Sequence, residues 1–149
     1  MNIEKWQEEK YGEKLPVFIS IEKYRKELEI FQKAVNNLLK PSRKKRFPYQ
    51  GVIVYGSGAR GDMHEFSDWD LYLLVEGEDK SNRWDKTKFG DALKAKLKEK
   101  RSVDIFGAID FTDEELAQTV KNGDHNLIGT PFIVVSPLDK VRKVFEIIP

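Results

Sequence analysis

The 149-residue chain has no cysteine, only two histidines, and no apolar run that approaches the length of a membrane span. The first absence excludes disulfides and thiolate metal sites, and it leaves the redox compartment unreadable from cysteine usage. The second leaves little for imidazole chemistry: His64 and His125 stand alone in polar, turn-like stretches without the paired spacing of a metal site, and neither is assigned a role. The third gives no candidate transmembrane helix. Net charge is also missing, since 26 basic and 25 acidic residues leave +1, so charge makes no global case for nucleic acid or membrane. The opening MNIEKWQEEKYGEK carries many charges and no apolar central block. It is not read as a secretory signal, and a cytoplasmic location is expected.

What is present is enough material for one core. A composition of 40% hydrophobic and 34% charged residues is that of a soluble globular chain, and 149 residues suffice for one domain but not for two ordinary ones. A single domain over 1–149 is therefore expected. It divides into an irregular N-terminal arm (1–19), an N-terminal helix (20–40), a central block carrying the candidate site (50–110), and C-terminal helices with a short strand (111–149). In the arm, Gly12 and Pro16 interrupt any period, and Trp6 and Tyr11 are expected to dock on the body.

From Ser20 the pattern sharpens. Ile21, Tyr24, Leu28, Phe31, Val35 and Leu38 recur at spacings of three and four, which predicts a helix capped by Ser20 and closed by Pro41. With fewer than three full heptads, its apolar stripe reads as a cover for a sheet rather than a coiled-coil seam. KPSRKKRFP (40–48) follows, a linker between two prolines with five positive charges in its first seven residues. It is read as solvated, so nucleic acid is not the favoured partner.

The rest of the chain is organised around QGVIVYGSGARGDMHEFSDWDLYLLV (50–75). Val52 to Tyr55 reads as a short apolar strand, and Gly56 and Ser57 let another group approach its end closely. Ser57 to Met63 reads as a helical turn whose first N–H groups suit a phosphate. On the next strand Asp68, Asp70 and Tyr72 share one face, while Trp69, Leu71, Leu73 and Val75 share the other, which wants a core. Two carboxylates so close repel each other unless water or a cation separates them. A phosphate cradle beside a paired-carboxylate cation site suits a nucleoside triphosphate with Mg²⁺.

Gly56, Ser57, ten residues, then Asp68, Trp69, Asp70 and Leu71 resemble the signature of the polymerase-β-type nucleotidyltransferase superfamily. Within it, GSGARGDMHEFSDWDLYLLV is most similar to the minimal nucleotidyltransferases. The resemblance implies an α+β fold, a mixed sheet with helices packed on one face. It also implies transfer of a nucleoside monophosphate from a nucleoside triphosphate to an acceptor hydroxyl, with two Mg²⁺ ions. Asp68 and Asp70 would hold metal, and Gly56, Ser57 and Arg60 would hold the phosphates. One departure is Gly58, where relatives often carry arginine or a bulkier residue. Some relatives are antitoxins that modify a helical toxin partner, so a protein acceptor is one expectation and small-molecule modification another. A nucleotide-binding or antitoxin-type module without turnover is the alternative. Oligomeric state is left open.

EGEDKSNRWD (76–85) reads as a loop, and Phe89, Ala92, Leu93 and Leu97 predict a helix from about Trp84 to Lys100. Its outer face collects Lys94, Lys96, Lys98 and Lys100, continuing to Arg101, and is read as solvated. SVDIFGAID (102–110) predicts a strand with Val103 and Ile105 on one face and Asp104 and Phe106 on the other. A lone acid at the start of a buried strand calls for a partner. The third carboxylate of the superfamily falls here, so the resemblance makes Asp104 the third metal ligand, also helping to deprotonate the acceptor, with Asp110 as substitute. Thr112 to Glu115 fits a capping box for a helix ending at Gly123. Phe132 to Val135 reads as an edge or flanking strand, and Ser136-Pro137 as the start of a last helix carrying Leu138, Val141, Val144, Phe145 and Ile148.

Overall fold

Ser20 opens the first helix as the sequence predicts: its hydroxyl accepts the Lys23 N–H at 3.1 Å, and α1 spans Ile21–Leu39 in a computed structural model that describes residues 17–44, 47–77, 86–98 and 101–146. Expectations for Trp6, Tyr11, Trp84, Lys100, Ile148 and most of the 76–85 loop fall outside those residues. The stripe of α1 buries Tyr24, Phe31, Val35 and Leu38, but its first member, Ile21, is 58% exposed. The apolar face begins one turn later, where Tyr24 meets the turn after the first strand. Lys40 is extended ahead of Pro41, which ends the helix as a residue before proline should.

The other elements are β1 (Gly51–Tyr55), the single turn α2 (Ser57–Arg60), β2 (Trp69–Val75), α3 (Lys86–Lys96), β3 (Val103–Asp110), α4 (Glu114–Lys121), β4 (Ile133–Val135) and α5 (Asp139–Val144). The sheet runs β3-β2-β1-β4. β1 is antiparallel to both neighbours, and β2 and β3 are parallel, so the sheet is mixed and β4 is an edge strand. Parallel pairing needs a crossover, which α3 provides.

Val52, Val54, Trp69, Leu71, Leu73 and Val75 face α1 and α3, where Phe31 stacks on Trp69 at 4.3 Å and Phe89 and Leu93 complete the layer. The opposite face is not bare. Ile53, Leu74 and Ile109 give it an apolar lower half, and Ala117 and Val120 of α4 with Val141 of α5 cover it. Packing on one face therefore describes only the two longer helices, and α4 and α5 lie on the other.

Several local expectations change. The turn after β1 stays helical only to Arg60, because Gly61 takes φ 85° and caps it. Thr112 does not cap α4. Asp113 does, accepting Leu116 N–H at 3.1 Å, because the Thr112 hydroxyl is committed to Asp110. The last helix starts at Asp139 rather than at Ser136, whose hydroxyl instead bonds the Gln50 carbonyl and accepts the Leu138 N–H.

Candidate functional site

β1 ends at Tyr55, and Gly56 turns the chain with φ 67° and ψ −147°, a conformation open essentially to glycine alone. A Cβ here would also stand 2.9 Å from Asp70 Oδ2, so the carboxylate rests against the turn itself. The N–H groups of Ala59 and Arg60 bond back to the Gly56 carbonyl at 3.1 and 3.0 Å, which closes α2. Ser57 opens the turn and is half-buried.

Gly58 has its own reason. A Cβ at this position would lie 2.8 Å from Trp69 Cε3 and 3.2 Å from Val54 Cγ1. The bulkier residue common in relatives is excluded here by the indole beneath, and the Tyr24 hydroxyl donates to the Gly58 carbonyl at 2.5 Å. Burial, then the charge of Asp62, raises the Tyr24 pKa, so the phenol stays a donor.

Asp70 lies between two neighbours: Tyr55 is opposite it on β1, and Asp104 is opposite it on β3. The strand order thus brings Gly56, Asp70 and Asp104 to one end of the sheet. Asp68 is exposed, one residue ahead of β2. Among the described residues no three acidic or imidazole groups stand grouped as a cation cage. The Asp70–Asp104 pair still suits a hard divalent cation, being two oxygen-donor groups of like charge on adjacent strands. Burial raises the Tyr55 pKa well above the ordinary value of 10.0, and the charges of Asp70, Tyr72 and Asp104 raise it further, so a protonated phenol faces the carboxylates.

Arg60 is exposed and paired with Asp62 at 3.1 Å, an ion pair weak enough to exchange for another anion. Asp110 is not at the site. Its Oδ1 accepts from Gly77 N–H (3.0 Å), Thr112 N–H (2.9 Å) and the Thr112 hydroxyl (2.5 Å), tying the end of β2 to the start of α4. Burial works to raise its pKa, but those hydrogen bonds outweigh it and hold the carboxyl below the ordinary value.

The residue that sequence reasoning misplaced is Arg101. Read there as the end of a solvated lysine face, it is only 6% exposed. Its guanidinium meets Glu27 of α1 in a fork, Nε to Oε1 at 2.6 Å and Nη2 to Oε2 at 3.1 Å. Nη1 donates to the carbonyls of His64 (2.8 Å) and Ser67 (2.9 Å), in the loop that delivers Asp68. Trp69 N–H to Ser102 O at 2.9 Å joins the two strand starts. A signal was available, since Glu27 stands three residues after Tyr24 and four before Phe31, on the apolar stripe, where an acid must be paired.

Both histidines shape turns: His64 Nδ1 accepts from Phe66 N–H, and His125 Nδ1 accepts from Leu127 and Ile128 N–H. Among the described residues no helix is long and apolar enough to cross a membrane.

The fold and the site define an α+β domain whose mixed sheet ends in a glycine-serine turn beside two opposed carboxylates. The family model "Polymerase beta, Nucleotidyltransferase" matches residues 37–130, more than half of the chain, and the chain belongs to that family, whose general activity is nucleotidyl transfer. Among curated proteins, none matches it.

Proposed function

We propose that this protein transfers a nucleoside monophosphate from a nucleoside triphosphate to an acceptor hydroxyl. The observation that carries the reading is the opposition of Asp70 and Asp104 on neighbouring strands, with Asp70 against the Gly56 turn. Asp70 and Asp104, with Asp68 from the loop ahead of β2, would hold Mg²⁺, expected as two ions. Bound there, the ions would neutralise the acids and the phosphates and would supply the Lewis acidity for in-line attack at the α-phosphorus. Gly56 and Ser57 hold the β- and γ-phosphates through N–H groups and the serine hydroxyl, and Arg60 exchanges Asp62 for a phosphate oxygen. The acceptor oxygen bonds to the α-phosphorus, the bond to the β-phosphate oxygen breaks, pyrophosphate leaves, and Asp104 takes the acceptor proton.

The resemblance offers two acceptor classes, a hydroxyl on a partner protein such as a helical toxin and a hydroxyl on a small molecule. Incubation with α-labelled ATP, CTP, GTP or UTP, Mg²⁺ and cell lysate tests the reading. Label should pass to an acceptor and be lost in Asp70→Ala, and a protease-sensitive, nuclease-insensitive product identifies a protein acceptor. Nucleotide binding without transfer, in Mg²⁺ and Mn²⁺ alike, would replace the enzyme with a binding module.

A further inference from the structure

The ladder between β2 and β3 skips one residue. Leu71 opposes Ile105 and Tyr72 opposes Gly107, so Phe106 is the extra residue of a β-bulge in a parallel pair. Bulges are rare there, and beside active sites they re-aim a side chain. Phe106 is 54% exposed, a large apolar ring held in water two residues beyond Asp104. Its ring centre lies 5.7 Å from that of Tyr72, which is also 5.4 Å from Tyr55 and 5.7 Å from His125. Gly107 makes room for this arrangement, since a Cβ there would stand 3.3 Å from Tyr72 Cε1. Tyr72 is only 5% exposed, yet its hydroxyl finds no hydrogen-bond partner among the described residues. The fold repays neither the exposed ring nor the orphaned hydroxyl.

Their position supplies a reason. The Gly56 turn, Asp70 and Asp104 stand in a row across β1, β2 and β3, and Phe106 lies at right angles to that row, two residues along β3 and roughly 6–7 Å from Asp104 at the usual rise of a strand. That is the reach of a ribose from its phosphate to its base. We propose that Phe106, backed by Tyr72, is the platform on which the base of the donor nucleoside triphosphate stacks. The inference rests on the nucleotidyl-transfer reading, because the carboxylates must first fix the α-phosphate. The donor is favoured over the acceptor for that reason: its ribose and base have to leave Asp70 and Asp104 along the next step of the surface.

Calorimetric titration with ATP, GTP, CTP and UTP, and separately with inorganic tripolyphosphate, all with Mg²⁺, tests this. Phe106→Ala should weaken binding of the nucleotides about tenfold, in line with base stacking on an aromatic ring, and leave tripolyphosphate within twofold. Phe106→Tyr should keep wild-type affinity and Phe106→Leu should lose it, and this pair decides the matter if the alanine variant does not fold. Unchanged nucleotide affinity in Phe106→Ala or Phe106→Leu, or an equal loss for tripolyphosphate, overturns the platform while transfer by the wild type stands. A wild type that binds none of the four nucleotides overturns both readings.

Discussion

The carboxylate of Asp70 and the backbone of Gly56 occupy one contact: a methyl group on Gly56 would stand 2.9 Å from Asp70 Oδ2. Gly56→Ala therefore meets two penalties, a conformation worth about 1–3 kcal/mol of strain and displacement of a proposed metal ligand. Thermal unfolding should register the first, and label transfer should fall at least about tenfold. Gly58→Ala is the control. Its methyl meets Trp69 at 2.8 Å, so overpacking should cost about 1–3 kcal/mol with a smaller loss of transfer. Equal transfer by Gly56→Ala and the wild type would remove the turn from the site.

Glu27 and Arg101 are buried together, so breaking the pair should matter more than replacing it. Arg101→Ala strands a carboxylate and the carbonyls of His64 and Ser67, at an expected 3–5 kcal/mol or so in urea denaturation. The double substitution Glu27→Leu with Arg101→Met should recover a good part of that stability. It should not recover transfer, because the loop ahead of Asp68 then lacks its donor. Recovery of both would make Arg101 a packing residue only.

Asp110 predicts a limb of the acid-unfolding curve. Its folded pKa lies below the ordinary 3.8, held there by Thr112 and Gly77 against the opposing effect of burial. The unfolded chain therefore binds the proton first. The stabilisation is fully present above that value and is lost as pH falls through the lower, folded one. Stability measured against pH should flatten below about pH 4 in Asp110→Asn, and a slope identical to the wild type would show that the carboxyl is not held this way.

Tyr55 reports on the two carboxylates. Burial is the larger cause of its raised pKa, with the charge of Asp70 next and that of Asp104 further behind. In ultraviolet titrations with Tyr55→Phe as blank, Asp70→Asn should lower the transition more than Asp104→Asn, and both should leave it above 10.0. No shift in either variant would place the phenol away from the acids.

Most of the candidate site's placement was legible because it is local in sequence. Gly56 and Ser57 end a short apolar strand, and Asp70 alternates with a core Trp69 on the next, so spacing alone puts each on its side. Asp104 stood out as an acid at a strand start, and the resemblance made it the candidate third carboxylate. Arg101 and Glu27 lie 74 residues apart, and an arginine beside a lysine-rich helix carries no mark of burial. The bulge at Phe106 was equally silent, because alternation is read from side chains while a bulge is an event between two backbones. The bulge also turns Ile109 toward α4 and α5 instead of α1, where it joins Ile53 and Leu74 on the second covered face.

Arg101 grips the loop ahead of Asp68 by its main-chain oxygens, not by its side chains. The side chains of Glu65 and Phe66, both exposed on that loop, take no part in the Arg101 contact, which reaches Glu65 through its carbonyl at 3.4 Å. The segment that borders the carboxylates can be rewritten at these two positions without unseating the strand behind it. A domain held in this way can change what it meets at its rim while its chemistry stays in register.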